Sequence, residues 1–226
     1  MKILVLAAMQ KEIDLLINLL KDLTMEEIEG SQIFHGSISS KEVIVAKCGI
    51  GKVNSALNTF LLIRALHPDI VINSGVAGGA GVPVGTVLIP ERVAYHDVWC
   101  GPGTSYGQAD GMPLFFQPSQ EIMDLLRDFP EDSAFITGLI CSGDKFVSTP
   151  EEIRYIREKF PDVCAVDMES ASIAQVCFMT NTPFAIIRIV SDTPGEGENI
   201  SQYKEFWIKA PAKTFDAVKF FISALK

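Results

Sequence analysis

The stretch Ile70–Gly81, IVINSGVAGGAG, joins an apolar run to a cluster of glycines. Its first part, Ile70–Asn73, is short, rich in β-branched residues and followed by turn residues, which is typical of a strand buried on both faces. The glycines let a ligand approach the backbone without a Cβ in the way. Their spacing matches neither a dinucleotide fingerprint nor a P-loop. The stretch therefore predicts a buried strand that ends in either a tight turn or a ligand-binding loop.

Similar elements recur along the chain. Further apolar runs predict strands at Ile3–Ala8, Val43–Lys47, Val84–Ile89, Phe135–Cys141 and Phe184–Val190. Helical periodicity predicts helices over Lys11–Leu23, Val53–Leu66, Glu151–Lys159, Met168–Met179 and Tyr203–Leu225, the last interrupted by Pro211. In the second helix Leu57, Phe60, Leu61 and Leu66 form the expected apolar face. This alternation predicts an α/β fold in one domain, residues 1–226, with a central mixed, largely parallel sheet sandwiched between helices.

Composition narrows the function. The formal net charge of -9 and the pI near 4.8 argue against nucleic acid as a partner, because phosphate backbones are bound by clustered Lys and Arg. The five cysteines are scattered, without a C-x-x-C pair, and are expected to be reduced, mostly buried thiols rather than metal ligands. No apolar run reaches the roughly 20 residues that span a bilayer. We therefore expect a cytoplasmic protein without membrane contact.

Three segments place carboxylates beside predicted strands. Glu12 follows the first strand, at the end of a sheet where α/β proteins bind ligands, although a first-turn glutamate is also favoured by the helix dipole. Asp167 and Glu169 have apolar neighbours that favour burial over a solvated helix start, and buried carboxylates are costly unless they are bound or paired. Arg188 and Asp192 share one face of a strongly apolar strand, where a buried arginine needs a partner.

Two other segments have simpler explanations, and a third is expected to be a long loop. The run Cys48–Asn54 lacks the first glycine of a phosphate loop and is interpreted as a structural turn. Tyr95–Asp97 places a histidine next to an acid, but no serine elbow accompanies it and neighbouring strand residues point to opposite faces. The segment His96–Pro118 is rich in glycine and proline and is expected to be a long, functional loop.

Six stretches together resemble the bacterial 5′-methylthioadenosine/S-adenosylhomocysteine nucleosidases of the nucleoside phosphorylase superfamily. They occur in the family's order over nearly the whole chain, at Ala8–Glu12, Gly49–Val53, Asn73–Gly79, Ser142–Phe146, Val166–Glu169 and Ile189–Asp192. The resemblance implies a three-layer fold like that of purine nucleoside phosphorylase. It also implies a homodimer in which the neighbour's loop helps to close each site, and a small-molecule nucleoside substrate.

The resemblance also assigns roles. Glu12 would activate the attacking water, Asp192 would donate a proton toward N7 of adenine, and Arg188 would position water and carboxylates. The expected substrate-binding residues are Val76, Ala77, Gly78, Phe146, Val147, Asp167, Met168, Glu169, Ser191 and Tyr203. Among these, Phe146 would stack on the adenine and Tyr203 would be an aromatic lid residue.

The remaining binding roles concern the edge of the base and the sugar. The backbone of Val147 would pair with the edge of the adenine. Met168 and Glu169 would hold the ribose and its hydroxyls. Ala77 and Gly78 would line the pocket for base and ribose.

The chain departs from the family's pattern in three places. Val76 stands where many members have serine, Asp167 where they often have glutamate, and the loop Val98–Gly103 differs from the usual one that covers the 5′ substituent. These differences affect the implied reaction little and bear on the specificity for the 5′ substituent.

Two carboxyl groups suit this reaction, since the leaving base needs a proton and the ribose needs an activated water. We therefore expect opposed environments, with the pKa of Asp192 raised and Glu12 ionised. No metal or redox cofactor is required.

Alternative functions are a purine nucleoside phosphorylase, a nucleosidase for another adenine-like nucleoside such as a futalosine-type compound, and a non-catalytic nucleoside sensor. A phosphorylase needs cations for phosphate, and Arg188 is the one arginine in the predicted site.

Overall fold

The computed structural model describes residues 1–128, 135–196, 198–209 and 215–225. Within them the strands are β1 (Lys2–Ala7), β2 (Lys21–Ile28), β3 (Ser31–Ile38), β4 (Lys41–Lys47), β5 (Ile70–Gly79), β6 (Val87–Leu88), β7 (Arg92–Tyr95), β8 (Phe135–Ile136), β9 (Leu139–Ser142), β10 (Val163–Asp167) and β11 (Phe184–Asp192). The helices are α1 (Gln10–Ile17), α2 (Lys52–Leu66), α3 (Gln120–Asp128), α4 (Pro150–Lys159), α5 (Ser170–Thr180), α6 (Asn199–Lys209) and α7 (Asp216–Ala224).

The strands form one mixed sheet, in the order β2-β3-β4-β1-β5-β10-β9-β7, with β11 paired to β5 and followed by β6 and β8. The central pairs β4-β1, β1-β5 and β5-β11 are parallel, as are β9-β10, β7-β9 and β6-β8. The pairs β2-β3, β3-β4, β5-β10 and β6-β11 are antiparallel. The predicted α/β class with a largely parallel mixed sheet is confirmed.

Strand β5 organises the centre of the sheet because it pairs with three strands. Its first half, Ile70–Asn73, pairs with β1 on one edge, and β11 follows the other edge as far as Gly78. Where β1 has ended, Gly78 and Gly79 pair instead with β10, which runs antiparallel to β5. The chain that leaves β10 therefore returns toward the middle of β5, close to the carboxyl ends of β1 and β11.

The core lies on both faces of this sheet. In β1, Leu4 and Leu6 join a buried cluster with α2 and α5, whereas Ile3 and Val5 join another with α1, α3 and α7. This alternation follows from the period of two in a strand and gives three layers, helix, sheet and helix. No helix in the described ranges is both long and apolar enough to cross a membrane.

The prediction for Lys11–Leu23 is wrong in its second half. Helix α1 ends at Ile17, and Lys21 begins strand β2 of a hairpin that the sequence analysis missed. Leu20 packs so closely against Gly36 of β3 that a Cβ on that glycine would lie 2.7 Å from the Cβ of Leu20. Leu20 therefore packs on the hairpin instead of continuing the helix. Strand β2 is almost entirely exposed, so it carries no alternation of buried and exposed residues to reveal it.

The predicted apolar face of α2 is confirmed at Leu66 but wrong at Leu57 and Phe60, which are exposed. The buried residues of α2 are Ser55, Thr59, Leu62, Ile63 and Leu66. Small polar residues face inward because α2 packs closely on α5, where the hydroxyls of Ser55 and Ser172 hydrogen-bond at 2.7 Å.

Smaller differences concern the ends of elements and the loops. The run Val84–Ile89 contains only the two-residue strand β6, and Phe135–Cys141 is divided into β8 and β9 at Gly138, whose φ is +150°. The helix expected over Met168–Met179 begins at Ser170 and includes Thr180. Pro211 lies outside the described residues. Residues 96–118 contain no helix, and a bridge between Val93 and Phe116 is their one strand-like pairing, as expected of a long loop.

The cysteines are free, as predicted. Cys48, Cys141 and Cys177 are buried, Cys164 is partly buried and Cys100 is exposed.

Candidate active site

A pocket of about 180 Å³ opens where the carboxyl ends of β1, β5, β10 and β11 meet. Of the predicted site residues it is lined by Glu12, Val76, Ala77, Gly78, Phe146, Asp167, Met168, Glu169, Arg188, Ser191, Asp192 and Tyr203. Val147 borders a small adjoining cavity that shares Gly78 and Asp192 with the pocket. Residues far apart in sequence thus converge because the three parallel strands β1, β5 and β11 end together.

Glu12 is buried at the start of α1, with 1% of its surface exposed. Its Oε2 accepts hydrogen bonds from the backbone N–H groups of Ala8 (3.0 Å) and Met9 (2.9 Å), and its Oε1 accepts one from Val76 (3.3 Å). The side chain therefore caps the helix, as the structural interpretation expected, and also reaches across to β5 at the pocket. Burial raises the pKa of Glu12, and the guanidinium of Arg188 and the backbone donors oppose this shift.

Gly75 makes room for the two charged groups beside it. A Cβ at this position would lie 2.8 Å from Oε1 of Glu12 and 2.9 Å from Nη1 of Arg188. Since real Cβ atoms do not approach other atoms this closely, any side chain here would displace one of the two groups. The glycine in the middle of β5 is thus a packing requirement of the site.

Arg188 is held in the centre of β11 and is 1% exposed. Its Nε donates to Oδ2 of Asp167 at 2.9 Å, and its Nη2 lies 2.7 Å from the same oxygen and 3.9 Å from Oε2 of Glu169. Nη2 also donates to Oδ1 of Asn73. Nη1 has no protein hydrogen-bond partner and lies beside the pocket. The amino group Nη1, with its two N–H donors, is therefore left for a ligand.

Asp167 is the anchor of this arginine. Besides Arg188, its carboxylate accepts hydrogen bonds from the hydroxyls of Ser142 and Ser170 and from the backbone of Ser170. Its oxygens are largely committed to these partners. The direct contact with substrate that the resemblance implies remains a prediction, and the geometry gives Asp167 a definite task in fixing Arg188.

Glu169 lies between the arginine and the start of α2. Its Oε1 accepts a hydrogen bond from the backbone N–H of Gly51 at 3.0 Å. Burial, together with the negative charge of Asp167, raises its pKa to about 7, against the opposing effect of Arg188. Glu169 therefore changes its charge near neutral pH, unlike an ordinary glutamate.

Asp192 ends β11 and is 2% exposed. Ser191 Oγ donates to its Oδ1 at 2.7 Å, and Asn199 Nδ2 donates to its Oδ2 at 3.4 Å. Burial raises the pKa of Asp192, and these two hydrogen bonds oppose the shift. The raised pKa of Asp192 agrees with the sequence-based expectation. The expected opposite environment of Glu12 is wrong, because burial raises the pKa of Glu12 as well.

Aromatic rings form the outer wall. Phe146, which is 43% exposed, meets Tyr203 of α6 edge to face, with 5.8 Å between ring centroids. The hydroxyl of Tyr203 donates to Sδ of Met9 at 3.4 Å. The pocket therefore combines a polar, charged floor with an apolar rim, as small-molecule sites usually do.

Several residues of the site were not predicted from the sequence. Asn73, Gly75 and Asn199 support the charged groups, while Ala8, Met9, Ile50, Ser74 and Val166 line the pocket. Asn73 carried a usable signal, since an amide inside a run of Ile and Val is buried and must find partners. Asn199 carried none, because its contact depends on how α6 folds back.

Charge limits what the pocket can bind. Arg188 is the single cation among the lining residues, and Glu12, Asp167, Glu169 and Asp192 line the same pocket. Across the described ranges, no group of three or more His, Cys, Asp or Glu side chains is arranged to hold a metal ion.

This fold and site define a class of protein. Residues 2–223 match the sequence model of the phosphorylase superfamily. The 5′-methylthioadenosine/S-adenosylhomocysteine nucleosidase of Lysinibacillus sphaericus is 41% identical over 212 residues, covering 91% of this chain and 92% of the relative. The enzyme of the same name from a Geobacillus species is 36% identical over the full length of both chains.

Solved structures agree with the sequence relatives. The nucleosidase of S. pneumoniae with the transition-state inhibitor MT-ImmA matches with a TM-score of 0.93 and 35% identity, covering all of both chains. The nucleosidase of Colwellia psychrerythraea 34H in complex with adenine matches with a TM-score of 0.92 and 34% identity, covering 100% of this chain and 96% of that one. The chain therefore belongs to the phosphorylase superfamily and, within it, to the 5′-methylthioadenosine/S-adenosylhomocysteine nucleosidase family.

Proposed function

We propose that the protein hydrolyses the N-ribosidic bond of 5′-methylthioadenosine, S-adenosylhomocysteine or both, releasing adenine and the thioribose product. Its relatives bear the name of this activity. The observation that carries the proposal is the pair of buried carboxyl groups, Glu12 and Asp192, on the wall of one small pocket. Acid and base in one pocket are what cleavage of a glycosidic bond by water requires.

In this mechanism Asp192 supplies the proton for the leaving adenine. Its raised pKa keeps the carboxyl protonated at a higher pH than an exposed aspartate. Ser191 and Asn199 hold the carboxyl in place. As the bond between C1′ and N9 breaks, negative charge develops on the base, and protonation at N7 neutralises it.

Glu12 takes the proton from the attacking water. Its carboxylate is aimed by three backbone N–H groups, and the unpaired Nη1 of Arg188 beside it can donate to the same water. The positive charge that develops on the ribose is stabilised by the carboxylates of the pocket. The proton reaches Glu12, the oxygen joins C1′, and adenine leaves with the proton from Asp192.

The remaining residues would bind the substrate as the resemblance implies. Phe146 would stack on the adenine, and Glu169, with Met168, would hold the ribose hydroxyls. The apolar rim, including Met9 and Tyr203, suits an uncharged thioether substituent.

A phosphorylase is the alternative within the same superfamily, and electrostatics count against it. A phosphate dianion needs several cationic donors, preferably bidentate arginines. Arg188 has only the nitrogen Nη1 free, and its Nε and Nη2 are committed to Asp167 and Asn73. Glu12 would also repel the anion at the position of the nucleophile.

The test is release of free adenine from 5′-methylthioadenosine, S-adenosylhomocysteine and adenosine, in phosphate-free buffer and again with added phosphate. We expect adenine and free sugar without phosphate, with the thionucleosides preferred over adenosine. Strict dependence on phosphate, with a sugar phosphate as product, would make the protein a phosphorylase. Binding without turnover of any of these nucleosides would support a sensor.

We also propose a homodimer. An apolar stripe on the outside of α2 supports it, formed by Val53, Leu57 and Phe60, which are 75%, 55% and 46% exposed. These residues are spaced by four and three and so share one face of the helix. Ile50, at 50% exposure, continues the stripe to the rim of the pocket. Exposed apolar patches often mark interfaces, and the contact of Ile50 with the pocket supports the proposal that a second subunit helps to close the site.

Two further assignments remain proposals. We treat residues 1–226 as one catalytic domain, because the pocket draws on strands from both ends of the chain. The scattered, unpaired cysteines support a cytoplasmic location, where thiols stay reduced. Cell fractionation with an antibody against the protein tests the compartment.

A further inference from the structure

Lys11, Tyr203 and Trp207 form a cluster that joins α1 to α6, and we call these three residues the Lys11 clasp. The ammonium of Lys11 donates a hydrogen bond to the hydroxyl of Tyr203 at 3.0 Å. The same nitrogen lies 3.8 Å from the ring centroid of Trp207 and 4.6 Å from that of Tyr203. Both distances are within the range of a cation–π interaction, which is strongest with tryptophan. A single charge thus holds two rings of α6.

Besides the clasp, helix α6 is attached in its first turn, where Oε1 of Gln202 accepts a hydrogen bond from the backbone N–H of Thr193 at 2.8 Å. In its described part, residues 199–208, the buried residues are Asn199 and Phe206, while Ile200 and Ile208 are 53% and 79% exposed. Asn199 ties the first turn to Asp192 and to the carbonyl of Val147. The clasp lies one to two turns further along and anchors the following part of the helix.

The clasp is connected to the wall of the pocket through Tyr203. That ring packs edge to face against Phe146 and against Trp207, at 5.8 Å and 6.2 Å between centroids. Its hydroxyl, which accepts from Lys11, donates in turn to Sδ of Met9. Any movement of α6 away from α1 would therefore move a lining residue of the pocket.

We infer that Lys11 is a positioning residue that keeps α6 closed over the nucleoside site by binding Tyr203 and Trp207. This rests on the proposed function, because nucleoside hydrolysis is the principal readout. A protein whose closed form is less populated binds its ligand with an affinity reduced by that fraction. Loss of the clasp therefore raises KM, while Glu12 and Asp192, which carry the chemistry, keep their places and kcat changes little.

The test begins with Lys11→Met, which keeps most of the stem and removes the charge. We expect KM to rise about three- to thirtyfold, with kcat within about twofold of the original. Lys11→Arg should restore KM, since a guanidinium also stacks on aromatic rings. The matched control is Lys204→Met, on the exposed side of the same helix, which should leave both parameters unchanged.

A competing explanation is that Lys11 acts on its neighbour Glu12 through charge. Lys11→Met would then shift the acidic limb of the pH profile of kcat and leave KM alone. Trp207→Leu distinguishes the two, because it keeps the charge of Lys11 and removes its best ring. We expect Trp207→Leu to raise KM as Lys11→Met does, and the double variant to be no worse than either single one, as for two residues of one interaction.

Three results would contradict the positioning role of Lys11: an unchanged KM in Lys11→Met, fully additive effects in the double variant, or a change confined to the pH profile of kcat. Adenine binding, followed by tryptophan fluorescence with Trp207→Leu as the blank, separates the clasp from the proposed function. If the unmodified protein releases no adenine from any nucleoside, the proposed function fails. The clasp is then judged by whether Lys11→Met weakens adenine binding and reduces the fluorescence change.

Discussion

Arg188 and Asp167 form an ion pair inside the protein, with 2.7 Å between Nη2 and Oδ2 and 2% of each side chain exposed. Taking both charges out of water is costly, and their attraction repays the cost when further hydrogen bonds satisfy both groups. Here the serine hydroxyls and Asn73 supply those bonds. The pair joins β10 to β11 and fixes the one cation of the pocket, so fold stability and site geometry depend on the same contact.

Removing one partner of this pair should be strongly destabilising. For Arg188→Met we expect a loss of about 3–5 kcal/mol in the free energy of unfolding, because Asp167 is left buried without its counter-ion. The surface pair of Arg92 and Asp162 is the control, and Arg92→Met should cost about 1 kcal/mol or less. Urea unfolding measures both. Equal losses in the two variants would contradict the importance of the buried pair.

A single methyl group at Gly75 should disable the site. Gly75→Ala places a carbon against Glu12 and Arg188, so we expect a loss of about 1–3 kcal/mol from overpacking and a fall in kcat of at least about a hundredfold. Gly30→Ala is the control, because it should lose a similar free energy of unfolding without any loss of activity. Its φ of +72° costs about 1–2 kcal/mol for a non-glycine residue, and nothing lies within 4 Å. Normal turnover in Gly75→Ala would show that the two charged groups can move apart without harm.

The sequence predicted the parts of the fold that depend on local pattern and missed those that depend on packing between elements. The apolar runs revealed β1, β4, β5 and β11, and a start signal marked α4, where Thr149 and Glu152 form the capping box. The hairpin β2–β3 was missed because an exposed strand has no burial pattern. The face of α2 was misjudged because close contact with α5 selects small residues such as Ser55 over large ones. In the site, carboxylates at strand ends were found from residue type, whereas Asn199 depends on the return of α6.

The raised pKa of Glu169 predicts a pH dependence of stability. In the unfolded chain a glutamate has its ordinary pKa near 4.5, and in the folded protein the pKa of Glu169 is about 7. Between these values the folded state holds more protons, so the free energy of unfolding falls as pH rises through this window, by about 3 kcal/mol in total. Glu169→Gln should remove this part of the decline.

The comparison needs a control for the other groups that titrate in the same window. Glu158→Gln, on the exposed side of α4, should leave the slope of stability against pH as it is in the unmodified protein. Chemical unfolding at pH 4.5, 5.5, 6.5 and 7.5 gives the free energy of unfolding at points about one pH unit apart, which cover the range between the two pKa values of Glu169. The slopes of the variants are compared over this range. An identical slope in Glu169→Gln and the unmodified protein would mean that Glu169 titrates normally.

Asp192→Asn should separate binding from chemistry. The amide occupies the same volume and its oxygen can still accept the hydrogen bond from Ser191, but its NH2 group faces the donor Nδ2 of Asn199 and it has no acidic proton for the leaving base. We expect kcat to fall by about 10²–10⁴-fold or more, with the dissociation constant for the nucleoside within about tenfold, measured by calorimetry. Asp162→Asn, at the surface, is the matched control and should retain full activity. Near-normal turnover in Asp192→Asn would remove Asp192 from the role of acid.

The apolar stripe on α2 should be needed for assembly of the dimer. Leu57→Glu places a charge in the middle of the stripe, where burying it against a second subunit would be costly, so the variant should be monomeric at concentrations where the unmodified protein is dimeric. Leu23→Glu is the control, because Leu23 is similarly exposed, at 47%, but lies on the distant strand β2. Sedimentation velocity measures the assembly and adenine release measures the activity. Since Ile50 links the stripe to the pocket, the monomer should also have a raised KM. A dimeric Leu57→Glu variant, or a monomeric unmodified protein, would show that this face is not the subunit interface.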